Sequence, residues 1–208
     1  MAVGAFYEAE ARKAATAAVK DVESQTSAEV VIALRSASGH YRHVDYLVGF
    51  LLALSTLSAL MFLPQSFAPV AFPVDVAIAF ALGALVSSRW PGLRRLLSSP
   101  ALRQRQVRAA ARATFLDLGI GRLPRRWGLL VYVSLLERRV EVVADIGIPV
   151  PALGTEWKDA VGALDAALQP PDLERFLAAL RALGPILGGA LPHTDDDVNE
   201  LPDEVDAA

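Results

Sequence analysis

The chain contains no cysteine, which excludes disulfide scaffolds, thiolate zinc sites and a cysteine nucleophile together. It also lacks a P-loop, a GxSxG elbow and a dinucleotide fingerprint. The "GIG" at 119–121 reads as a helix stop, not a phosphate cradle. Charge is missing from a long stretch: residues 47–63 carry none, and the connection after them has no Lys or Arg.

What fills those gaps is apolar. Hydrophobic residues make up 53% of the 208 positions, and the mean hydropathy is +0.37, high for a soluble chain. The excess lies in two blocks. Residues 44–63, as a helix, span roughly 30 Å, the thickness of a bilayer core. Residues 67–86 hold one charge, Asp75, and two prolines, Pro69 and Pro73. The "PQS" between the blocks is a tight turn, so the pair reads as a transmembrane helical hairpin. The competing reading is a pair of buried core helices, but such helices seldom lack a polar face over this length. The first block begins more than forty residues into the sequence, behind a charged amphipathic helix, which argues against a signal peptide.

The net charge of −3 hides an asymmetry. Seven of the 23 acids lie after Thr194, a segment without Lys or Arg, so the preceding chain sets sixteen acids against twenty bases. Arg89, Arg94, Arg95, Arg103, Arg105, Arg108 and Arg112 follow the second apolar block, and Arg35 and Arg42 precede the first. The positive-inside rule then places both termini in the cytoplasm of a two-helix cell-membrane protein. Richness in Arg and Ala points to a bacterial chain. The arginine run lacks interleaved aromatics, so anionic lipid explains it better than nucleic acid. Asp75, two residues past Pro73, belongs to a first helical turn, where the helix dipole favours an anion; an ion relay is the functional alternative. His40 and His43 sit near the inner surface with Asp45, but His193 is far away, and zinc needs three or four ligands. The segment from Asp195, despite a passing likeness to a calcium loop, has Glu200 where glycine is required and reads as a disordered acidic tail.

Outside the apolar blocks the order is α-β-(hairpin)-α-β-β-α-α. "AEVVIALRS" and "WGLLVYVSLL" are continuous apolar strands, hence buried on both faces. A helical crossover makes them parallel within one sheet, and the short "LER" joint makes a β-hairpin with "RRVEVVADIGI". Thr155 is the expected cap of the Trp157 helix. The expectation is an α/β fold, a small three-layer α/β sandwich with a mixed sheet and an inserted two-helix hairpin. It divides as residues 1–43 and 89–190 for the α/β domain, 44–88 for the hairpin and 191–208 for the tail.

These words in this order resemble the TPM domain family. "VESQTSAEVVIAL" is similar to the family's E-x-x-T-x-x-E leading into a first strand. "ATFLDLGIGRLPRRWGLLVYVSLLERRVEVVADIGI" is similar to its A-x-x-x-F…S…E-R…D-x-G-I stretch, and the Trp157 helix follows. The resemblance covers roughly residues 5–45 and 103–190, and departs from many members in the internal hairpin. It implies an accessory, assembly or repair role beside another membrane protein or complex, divalent-cation binding in some members and weak acid phosphatase activity in others. Carried over by position, the implied residues are Glu23, Thr26, Glu29 and Asp145. If the start of strand one neighbours the end of strand three, Glu29 and Asp145 form a carboxylate pair suited to Ca2+ or Mg2+. The structural alternative has Glu23 and Thr26 capping the helix–strand turn, Glu29 paired with an arginine and Asp145 opening a turn. Two functions follow: a membrane-anchored, non-enzymatic accessory factor, or a weak metal-assisted acid phosphatase. The first is favoured, because no nucleophile or dense metal cluster can be assembled.

Overall fold

Strands β1 (Glu29–Arg35) and β2 (Gly128–Ser134) are apolar on both faces, and such strands need cover on both sides. In the computed structural model, which describes residues 4–63, 69–194, 201 and 205–207, they receive it. Contacts divide the chain into two units, one formed by Met1–Ser38 with Gln104–Ala208 and the other by Gly39–Arg103.

The first unit is an α/β domain around a mixed four-stranded sheet of order β3-β2-β1-β4. β1 runs parallel to β2, and β2 antiparallel to β3 (Arg139–Ala144). One face takes Val30, Ile32, Leu34, Leu129, Val131 and Val133 into a core with α1 (Ala9–Glu23), α6 (Gly154–Ala166), α7 (Leu173–Arg181) and α8 (Leu183–Ala190). The other face takes Val31, Ala33, Leu130 and Tyr132 against Val107, Ala111 and Phe115 of α5 (Pro100–Asp117). The period-two alternation thus feeds two separate apolar clusters, one per face.

The helices follow their patterns. In α1 the buried residues are Ala11, Ala15, Ala18, Val19 and Val22, a stripe of helical spacing. Gly119, at φ +68°, stops the α5 segment as a left-handed glycine does. Asp172 caps α7 by accepting from the Arg175 N–H at 3.1 Å. Thr155 is not a cap: α6 starts at Gly154, and Thr155 falls inside its first turn. The expected single last helix is two, α7 and α8, meeting at Ala182.

The sheet margins are guarded differently. On β3, the Asp165 carboxylate of α6 accepts from the Val140 N–H at 3.0 Å and from Arg139 at 2.7 Å. On β1, Glu23 Oε1 accepts from the Val30 N–H at 2.9 Å. Side chains thereby occupy edge donors that would otherwise invite another strand. Further along β1 the cover is β4 (Asp206–Ala207), parallel to β1 with Ala33 opposite Asp206 and Leu34 opposite Ala207. Within the span 191–208 expected to lack structure, the described residues 205–207 depart from that expectation. Asp206 is held by Arg35, and Val205 and Ala207 pack on the α1-side core, so local acidity is outweighed by one ion pair and two apolar contacts. The calcium-loop-like positions 195–200 lie outside the described residues.

The second unit begins at Gly39 and ends at Arg103, wider than the expected 44–88. Helices α2 (Arg42–Phe62) and α3 (Phe72–Arg89) pack on each other, and α4 (Pro91–Leu97) packs on α3. Their buried positions are small or polar: Asp45, Gly49 and Ala53 beside Val44 on α2, and Ala79, Gly83 and Ser87 on α3. Both sets step by four residues. Gly49 faces Gly83 and Asp45 faces Ser87, so the two helices run antiparallel along a small-residue seam. The approach is close: a Cβ on Gly83 would lie 2.9 Å from the Gly49 Cα, and one on Gly49 2.7 Å from the Phe80 carbonyl oxygen. Both helices are long and apolar enough to cross a membrane. Only 22% and 17% of their apolar stretches is buried, and Phe50, Leu54, Ile78 and Leu82 point outward. Pro73 and Asp75 lie in the first turn of α3, where the dipole argument puts them.

Candidate functional site

Three polar clusters stand out, two at opposite ends of the parallel strand pair and one at the base of the helical hairpin.

The first holds the residues singled out in the sequence. Glu29 opens β1 opposite Gly128 of β2, and its N–H donates to the Trp127 carbonyl at 3.1 Å. Asp145 directly follows β3 and donates its N–H to the Gly128 carbonyl at 2.9 Å. Both acids therefore reach the same end of the sheet, on either side of Gly128. With β2 between them, their backbones stand two strand spacings apart, about 10 Å. Asp145 is buried, and its carboxylate has other work. Oδ1 accepts from the Ile146 N–H at 2.7 Å and from Arg126 Nη2 at 2.9 Å. Oδ2 lies 2.8 Å from Arg126 Nε in an ionic contact without hydrogen-bond alignment. Arg126 adopts φ +57° to present its guanidinium. Glu23 is committed to Val30, while the Thr26 hydroxyl donates to the Leu191 carbonyl at 2.7 Å and accepts from the Ala28 N–H at 3.2 Å. These residues hold the helix–strand turn and the turn after β3. Among the described residues no group of three or more His, Cys, Asp or Glu converges as metal ligands. His40, His43 and His193 are exposed.

The second cluster lies at the carboxyl ends of β1 and β2, the place where open α/β sheets bind ligands. Ser38 Oγ donates to Ser134 Oγ at 2.7 Å and lies 3.0 Å from the Tyr132 hydroxyl. Ser134 in turn donates to Glu137 Oε2, and Glu137 Oε1 accepts the Ser38 N–H at 3.0 Å. Since a serine hydroxyl has one proton, the Tyr132 O–H donates to Ser38 and the chain runs one way, tyrosine to serine to serine to carboxylate. Tyr132, Ser134 and Glu137 are buried. A serine beside a carboxylate suggests a nucleophile, but a substrate has no path to a fully buried hydroxyl. The network instead pins the segment that leaves β1. The sequence signal was present as Ser134 and Glu137 three residues apart, while Ser38, 96 positions from Ser134, gave none.

Burial holds the Tyr132 hydroxyl above the usual tyrosine value of about 10, and burial does the same to Tyr7. The fold favours the neutral phenol. Its contribution is complete below about pH 10 and is lost as pH climbs from there through the raised folded value. Thermal midpoints should therefore fall above about pH 10, and Tyr132→Phe should flatten that fall while lowering the midpoint at neutral pH. An unchanged alkaline slope in the variant would remove Tyr132 from the account.

The third cluster was missed in the sequence. Asp45, buried in the first turn of α2, accepts from Ser87 Oγ at 2.8 Å and from Arg94 Nε at 3.0 Å through Oδ1. Arg94 Nη2 reaches Oδ2 at 2.6 Å. This two-pronged pair ties α2, α3 and α4 together. Arg103 donates to the Arg95 carbonyl beside it. Part of the arginine run thus serves the fold, and Arg89, Arg105 and Arg112 remain exposed. Asp45 and Arg94 are 49 residues apart, so no local pattern announced them.

No family model matches the chain, and a comparison with curated proteins finds no match. Among solved structures, the BA42 protein from the psychrophilic bacterium Bizionia argentinensis, determined by NMR, is similar in fold. It has 16% sequence identity and a TM-score of 0.58, covering 97% of this chain and 94% of that one. At that identity the likeness concerns the α/β fold alone.

Proposed function

We propose that the chain is an integral membrane protein, anchored by α2 and α3 as an inserted hairpin, whose TPM-like α/β unit acts as a non-enzymatic accessory or assembly factor on another membrane protein. The observation that carries the reading is the inverted character of the hairpin. Its small and polar residues are inside and its large apolar residues outside, the arrangement of helices whose solvent is lipid. An exposed apolar surface of that extent is untenable in water. The arginines beyond α3 and the base-free connection support a cytoplasmic α/β unit. The accessory role is supported by the use of the acids: Glu23, Asp145 and Asp165 each hold a turn or a strand edge, which leaves them engaged where a metal-assisted phosphatase would need them available.

The test is fractionation and accessibility. The protein should stay with membranes through alkaline carbonate washing. A cysteine placed at position 65 should react with an impermeant maleimide in intact cells, and one placed at position 117 only after lysis. Recovery in the wash supernatant, or the reverse labelling pattern, would overturn the anchor.

A further inference from the structure

The two sheet edges differ in what covers them. β3 is guarded by Asp165 and Arg139, both fixed within the domain. β1 is guarded at its start by Glu23, and at Ala33–Leu34 by a segment about 170 positions away, β4. β4 contributes only two residues of pairing, far below a usual strand. Its hold comes from three contacts. Arg35 binds Asp206 twice, Nη2 to Oδ2 at 2.5 Å and Nη1 to the backbone carbonyl at 2.9 Å. Val205 packs on the α1-side core and, with Phe6, Ala15, Ile32, Leu34 and Phe176, lines a small apolar pocket there. Leu201 packs on the opposite face, against the α5-side cluster. The described residues thus place Leu201 on one face of the sheet and Val205 on the other, with Asp206 read by an arginine.

We propose that the outer edge of β1 is a strand-acceptor site for a partner protein. The occupant is an extended segment, parallel to β1, with an apolar residue followed by an acid and a small residue; β4 is the intramolecular copy that competes for the site. Parallel strand addition supplies the main-chain bonds, while the apolar core surface that Val205 packs on and the Arg35 guanidinium supply selectivity. The inference rests on the accessory reading and names where its partner docks. Arg35 is the reader of the acid: it is only partly exposed, with a side-chain accessibility of 21%, and it is aimed at the edge.

The experiment uses the full chain in nanodiscs of zwitterionic lipid and a fluorescent peptide of residues 201–208 as the probe. A tethered competitor acts at an effective concentration near millimolar, so opening the edge with Asp206→Arg should raise peptide binding by roughly tenfold or more. Arg35→Glu alone should open the edge yet bind no peptide, because the reader now repels the acid. The charge-swapped pair Arg35→Glu with Asp206→Arg restores an internal ion pair and should return binding to a level at or below that of the unaltered chain. Bound peptide should slow amide exchange at Ile32 and Leu34. Equal binding by the unaltered and Asp206→Arg chains, or protection away from β1, would overturn the site. Because every variant keeps the hairpin, such a failure with carbonate-resistant membrane association intact leaves the anchor reading standing.

Discussion

Gly49→Val should split the helical hairpin. Any side-chain carbon at this position meets the Phe80 carbonyl oxygen at 2.7 Å, a backbone atom that cannot rotate away, and the Phe80 ring at 3.1 Å. The helices must separate by more than a small adjustment, which loosens the whole seam from Asp45 to Ala53. Overpacking of this kind costs about 2–3 kcal/mol. Far-UV circular dichroism across an SDS titration in mixed micelles reads the loss. The contrasting control is Gly162→Ala in α6, where the new carbon meets nothing within 4 Å and helix propensity improves by about 1 kcal/mol or less. A Gly49→Val hairpin as resistant as the unaltered one would show that the seam is not close-packed.

The second large effect concerns charge. Asp45→Ala should destabilise the same unit by about 2–4 kcal/mol, because it strands a guanidinium that has lost both of its prongs. The lower part of that range allows for Arg94, whose side chain is 27% exposed against 8% for Asp45, so its surroundings relieve part of the cost. Replacing both residues, Asp45→Ala with Arg94→Met, should recover much of the loss, since removing a buried pair together is milder than breaking it. The SDS titration of Asp45→Ala, Arg94→Met and the double variant forms a double-mutant cycle, and a double variant as weak as the sum of the singles would deny the coupling. Asp45→Asn separates size from charge: it keeps the shape and the Ser87 contact but loses one anionic partner.

How much of this was legible differs between the two units. The α/β order, the parallel β1–β2 pair and the β2–β3 hairpin were readable because apolar periodicity and a four-residue joint are local properties. The two-sided burial of β1 was readable from "EVVIAL" for the same reason. Glu23, Thr26 and Asp145 were legible as residues beside turns, where they hydrogen-bond, while the backbones of Glu29 and Asp145 reach one sheet end with β2 interposed. The hairpin base was not readable, because Asp45 looked like a neighbour of His43 and Arg94 like one arginine in a run. The acidic tail misled for an opposite reason. Its composition favours disorder, and only a distant arginine and an open strand edge make residues 205–207 fold.

From the sequence alone came the class of every long element, the two stretches suited to a bilayer and the charge asymmetry around them, since these depend on neighbours three or four positions away or on composition. Only the tertiary structure decided which acids are bonded and which glycines face a backbone. It also decided which segment closes the β1 edge. Those outcomes depend on pairs separated by 19 to 171 positions, and distances of a few ångströms between such residues are properties of the folded chain, set by packing rather than by any local pattern.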